Sequence, residues 1–225
     1  KATVAKAKGL EPLAGFILNQ LPGDISAKAK SFISAEKGVA DIEEALNGAR
    51  DIIAEWVSEN DIVRARIRLL FEREATISSK VSKGKNEEGQ TWFDFSEPLS
   101  KSPSHRILAM LRGHEEGFLK IKVEPDNERA LAVLERLYIK GNSPASEQVH
   151  LAVEDSYKRL LQPSMETEAL QSAKGRADID AIRVFAENMR QLLLSPPMGE
   201  KNILALDPGF RSGCKLVCLD RQGNL

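Results

Sequence analysis

Cysteine is nearly missing from this sequence, histidine is sparse, and positive and negative charge almost cancel. Each shortage removes a class of protein. Cys214 and Cys218 fall in one predicted strand, where a rise of ~3.3 Å per residue sets them ~13 Å apart, beyond disulfide reach. They are expected to be reduced, buried thiols. His105, His114 and His150 are scattered, so no spacing suits a structural zinc. No metal or other cofactor is expected. A formal net charge of −1 gives no global attraction for a polyanion, and any nucleic-acid site must be a local patch. No apolar run approaches the ~20 residues needed to span a bilayer, and no signal-peptide pattern opens the chain. The expected setting is the cytoplasm, with no membrane partner.

What is present is mostly helical rhythm. Ile42, Ala45, Leu46, Ala49, Ile52, Ile53, Trp56 and Val57 recur at spacings of three and four, with Asp41 and Glu44 placed as a capping box at the start. A second helix follows Asn60-Asp61 and turns Val63, Ile67, Leu70 and Phe71 inward. "VSKGKNEEGQTWFDFSEPLSKSPS" reads as a polar connection carrying Trp92, Phe93 and Phe95. Ser102 is then placed as an N-cap with Pro103 at the first helical position. "FLKIKVE" alternates apolar and polar, a short strand over Phe118 to Val123. Helices are predicted over Asn127–Tyr138 and from Ser143-Pro144 to a stop at Pro163. From Ser164 to Ser195 one stripe runs through Leu170, Ala173, Ala177, Ala181, Phe185, Met189 and Leu192; unbroken, it makes a helix ~48 Å long.

"SPPMGEK" marks the boundary, because the period switches there from helix to strand. Residues 1–199 are read as a helical scaffold and 200–225 as the start of a β domain. Two strands alone are marginal, so the chain is expected to be an excised piece of a larger protein. The fold class is mainly α: a multi-helix scaffold with a long connecting helix, one short strand mid-chain and a terminal β-hairpin.

Three stretches are able to carry chemistry. Asp207 follows the apolar run Ile203 to Leu206 and precedes Pro208-Gly209, at the predicted end of a buried strand. Two-metal phosphoryl chemistry needs several converging carboxylates, and one acid is as readily a turn cap. Asp220, thirteen residues on, is read as a turn residue. Between Asp61 and Lys85, Arg64, Arg66, Arg68, Arg73, Lys80, Lys83 and Lys85 outnumber Asp61, Glu72 and Glu74. Arg64 and Arg68 share a helix face. With Trp92 or Phe93 as a stacking surface, this segment is a candidate for tracking phosphates; the plainer alternative is a solvated helix face with aromatics pinning the loop. In "PSHRILAMLRG", a phosphate at the helix N-terminus would have Arg106 as partner, with Arg112 near the far end. The alternative there is intramolecular pairing. Arg176, Arg183 and Arg190 recur every seven residues along the long helix, as a groove lining or simply its wet side.

"LALDPGFRSGCKLVCLD", "SPSHRILAMLRGHEEG", "ALNGARDIIAEW" and "LLQPSMETEAL" together resemble the Tex family of bacterial transcription accessory proteins, in that family's order and over essentially the whole chain. The resemblance implies a helix-turn-helix-like and helical central part up to about residue 199, then the first hairpin of a YqgF domain of ribonuclease-H-like fold. It implies nucleic acid, RNA or DNA, as partner, contacted weakly here and chiefly by an S1 domain outside these residues. The transcription machinery is a further implied partner. It also sets Asp207 at the first acidic position of a resolvase-like site. The chain itself is expected to be non-catalytic, its role being to position binding modules. A metal-dependent ribonuclease-H-like nuclease and a pure protein-interaction scaffold are the competing readings.

Overall fold

A computed structural model describes residues 1–82, 94–209 and 213–225. The helix predicted from Ile42 forms as α4 (Ile42–Glu59) in the chain order α1 (Ala2–Ala7), α2 (Glu11–Asn19), α3 (Ile25–Lys30), α4, α5 (Asp61–Glu74). Asp41 caps α4 by accepting the Glu44 N–H at 2.7 Å. The Glu44 carboxylate reaches back one residue further than a standard box and takes the Ala40 N–H at 2.8 Å. Ala45, Ala49, Ile52, Ile53 and Val57 are fully buried on the predicted face, and α4 packs against α1, α2, α3, α5 and α8 (Pro144–Asp155). Small residues on that face let neighbouring backbones come close. Asn60 then caps α5 through the Ile62 and Val63 N–H groups, which turns Val63, Ile67 and Phe71 into the core.

Beyond α5 the structure departs from the expected single strand. β1 (Thr76–Val81), β2 (Asp94–Pro98) and β3 (Leu119–Glu124) form an antiparallel sheet in the order β2-β1-β3. β1 carries little strand signal because "TISSKV" buries only Ile77 and Ser79, and serine at an inward position looks like loop. β2 carries little because it turns just Phe95 and Glu97 to the inner side. Main-chain pairing holds these strands, and composition does not display it.

α6 spans Ser104–Glu115 and begins one residue later than expected: Pro103 is its N-cap, while the Ser102 hydroxyl donates instead to Glu97. α7 (Asn127–Tyr138) is capped by Asp126, and α8 by Ser143. Pro163 does not end the helix, contrary to expectation. α8 runs through a π-type turn, Ser156–Leu161, into α9 (Gln162–Leu193). There the Gln162 N–H reaches back five residues to the Tyr157 carbonyl, and Pro163 sits in the first turn beyond, where a missing N–H costs least. The turn is bolted to α4 by the buried Ser156 hydroxyl, which donates to the Ala54 carbonyl at 2.7 Å.

The chain divides into two compact units, Lys1–Ala181 and Ile182–Leu225. In the second, β4 (Ile203–Gly209) pairs antiparallel with β5 (Gly213–Leu219). Both faces of this ribbon are open: Leu204 and Leu206 are exposed on one side, Ala205 and Asp207 on the other. The buried strand and buried thiols expected here are not found: Cys214 and Cys218 are exposed. Alternation assigns faces but cannot supply a layer to cover them. Among the described residues no helix is long and apolar enough to cross a membrane.

Candidate nucleic-acid interface

The arginines singled out from the sequence do share a face, and that face is turned toward α9. Arg64 and Arg68, one helical turn apart on α5, meet Ser164 and Glu168, also one turn apart on α9. Arg64 Nη2 donates to Ser164 Oγ at 3.0 Å. Arg68 grips Glu168 with Nε on Oε1, and Nη2 lies 3.3 Å from Oε2. Both members of the pair are half-exposed. The hydrogen bond from Arg68 holds the Glu168 carboxyl below its usual range, and the carboxylate in turn raises the guanidinium. Beside this clamp lies a cleft of about 340 Å³ with Phe71, Leu99 and Met165 in its lining and Arg176 on its wall.

The N-terminus of α6, the other predicted anion site, already has an acid beside it. Ser104 Oγ donates to Asp180 Oδ2 of α9 at 2.7 Å. The predicted phosphate partner, Arg106, pairs with Glu97 on β2 and lies over the Phe95 ring, 5.3 Å from its centroid. His105 and Arg112 are both exposed on α6. Arg176, Arg183 and Arg190 are exposed along α9. Lys83, Lys85, Trp92 and Phe93 lie outside the described residues.

Lys80 is different. It stands exposed on the outer side of β1, and the register brings it two companions that sequence reasoning passed over. Lys120 lies directly across on β3, and Lys122 follows two residues along, opposite Ser78. The signal was present in "FLKIKVE": the alternation that buries Leu119 and Val123 throws both lysines outward.

Asp207 lies within β4, not at its end; the strand continues through Pro208 to Gly209. Pro208 is tolerated because a two-stranded ribbon leaves half of its N–H positions facing away from the partner. Asp207 stands opposite Lys215, with Nζ 3.9 Å from Oδ2 and both side chains in solvent. Asp220 is a turn residue as expected. It accepts the Gln222 and Asn224 N–H groups at 2.9 and 2.8 Å. The Asn224 side chain is the main cause of its lowered pKa. Among the described residues no three His, Cys, Asp or Glu side chains converge in a way that would hold a metal ion.

Comparison with known proteins identifies the family of this chain. The domain described as Tex central region-like matches residues 23–185. The uncharacterized protein YdcI of Bacillus subtilis is 43% identical over 232 residues, covering all of this chain and 32% of its own length. The transcriptional accessory protein Tex of Neisseria gonorrhoeae is 37% identical over 234 residues, again over the whole chain and 31% of its own. The human S1 RNA-binding domain-containing protein 1 is 27% identical over 245 residues, 97% of this chain and 23% of that protein. The chain thus spans about a third of the bacterial relatives it matches. A matched domain of this extent, carried by the helices and sheet described above, makes the chain a member of the Tex central region-like family.

Proposed function

We propose that this chain is the scaffold of a nucleic-acid-associated transcription accessory factor, holding binding modules in place and touching RNA or DNA only weakly itself. The observation that carries the reading is the seam between α5 and α9. Two of the basic side chains best placed by sequence for phosphate contact tie elements 100 residues apart. The names of the Neisseria and human relatives, one transcriptional and one RNA-binding, support the broader function. On this reading the transcription machinery is a partner, and the β4–β5 hairpin begins a YqgF-type, ribonuclease-H-like domain.

Fluorescence anisotropy with labelled single-stranded RNA, single-stranded DNA and duplex DNA tests it. Salt-sensitive binding that survives Arg64→Ala/Arg68→Ala, in a variant that melts earlier, supports a scaffold. Loss of binding with unchanged melting makes the seam a contact surface and overturns it. The chain is also proposed to be non-catalytic, since Asp207 faces a lysine in open solvent. Divalent-metal-dependent nuclease activity that co-purifies with the wild type and vanishes in Asp207→Ala would sink that proposal.

A further inference from the structure

The sheet β2-β1-β3 has an inner face and an outer one, and the outer one is chemically unusual. Strict alternation puts Thr76, Ser78 and Lys80 of β1 outward, with Asp94 and Ser96 of β2 on one side and Lys120, Lys122 and Glu124 of β3 on the other. Ile77, Ser79, Leu119 and Val123 of the same strands are buried beneath. Lys80 and Lys120 are direct cross-strand neighbours. Like charges so placed destabilise a sheet, and neither ammonium makes a hydrogen bond or ion pair among the described residues. Lys122 bonds Glu124 at 2.6 Å, but that carboxylate oxygen is shared: Gln162 Nε2 donates to it at 2.8 Å. Asp94 stands across Lys80 on the β2 side, so the positive charge gathers along the β1–β3 seam. Among the described residues the two ammonium groups are left without an ion pair, although Asp94 stands across from Lys80, and such a seam is complementary to an anionic ligand.

We propose that this face is a phosphodiester-backbone contact surface, taking RNA or DNA without regard to sequence; the proposal rests on the nucleic-acid reading above. The floor between the lysines is Ser78 and Ser96, short hydroxyl side chains that let a backbone approach closely. Among the described residues no aromatic side chain stands on the outward positions of the three strands, and the contacts these positions offer are to phosphate. Lys120 and Lys122 are ~6.8 Å apart along β3, about two steps of the ~3.4 Å advance between phosphates on one strand of duplex DNA. Contacts of this kind position a nucleic acid and carry no base information.

The test uses the 225-residue chain with a short uridine oligonucleotide, a short thymidine oligonucleotide and a short DNA duplex, by anisotropy from ~50 to ~200 mM salt. Lys80→Gln/Lys120→Gln/Lys122→Gln is expected to weaken binding about tenfold or more at low salt. It should also flatten the log–log salt slope by about 2 to 3, close to one for each phosphate no longer neutralised. Lys80→Arg/Lys120→Arg/Lys122→Arg, which keeps the charges, is expected to bind like the wild type. Lys28→Gln/Lys30→Gln/Lys37→Gln, on exposed residues of α3 and the turn after it, is the control for bulk charge and is expected to change little. Circular dichroism melts of each variant show that the fold survives. Equal binding and an equal slope in the triple glutamine variant overturn the site and leave the function standing. An equal loss in the Lys28/Lys30/Lys37 control also overturns the site. No salt-sensitive binding of the wild type to any of the three probes overturns both.

Discussion

Gly48→Ala is a substitution for which local and tertiary physics give opposite signs. Gly48 lies inside α4, where replacing glycine by alanine gains about 0.8–1 kcal/mol of helix propensity. A Cβ at that position, however, would stand 2.3 Å from Leu10 Cδ1 and 3.4 Å from the Ala5 Cβ. Ordinary contact requires the leucine methyl to retreat by more than an ångström. Leu10 is 1% exposed, so the methyl has packed neighbours wherever it turns. Overpacking of this kind costs about 1–3 kcal/mol, which exceeds the propensity gain. The expected net effect is destabilisation by about 1 kcal/mol, a loss of about 2–4 °C in Tm for a domain of this size. Gly175→Ala in α9 is the matched control: nothing lies within 4 Å of its added Cβ, so the propensity term acts alone and Tm should rise. Urea and thermal melts followed by circular dichroism measure both. Adding Leu10→Ala to Gly48→Ala should give less than the sum of the two single losses, since the clash disappears with the leucine. A rise in Tm for Gly48→Ala, or strict additivity in the double variant, would refute the packing argument.

Further expectations concern the seam and the capped helix. Removing Arg68 should cost about 0.2–1 kcal/mol, the range for a half-exposed pair screened by solvent. The folded Glu168 carboxyl titrates lower than the unfolded one, so this stabilisation is present above the unfolded carboxyl value of ~4.3 and is lost as pH falls through the lower folded value. The Tm difference between wild type and Arg68→Ala should therefore shrink on acidification; an undiminished difference at about pH 3 would remove the ion pair as its cause. Asp41→Ala should cost about 0.5–2 kcal/mol through loss of the α4 cap, read as a lower urea midpoint at unchanged m-value, and an unchanged midpoint would show that the Glu44 bond to Ala40 suffices.

Much of this architecture was legible in residue order. The spacing of Ile52, Ile53 and Val57, the cap at Asp41, the helix starts at Asn60-Asp61 and Ser143-Pro144, and the switch of period after "SPPMGEK" are local signals, and local backbone preferences answer to them. The strands β1 and β2 were not legible, because strand pairing is a main-chain interaction that Ser78, Ser79 and Glu97 do not advertise. Nor was the continuation through Pro163, which depends on a π-type turn held by Ser156 against α4.

The basic residues divide along the same line. Sequence alone determined that Arg64 and Arg68 share a face, that Lys120 and Lys122 share another, and that Asp220 sits in a turn, since each follows from the period of one helix, strand or turn. Only the tertiary structure decided that the arginine face meets Ser164 and Glu168 while the lysine face meets solvent and sets Lys120 across from Lys80. The period of an element fixes which side chains point together. What they point at depends on which distant element packs there, and that is settled by burial of the whole core.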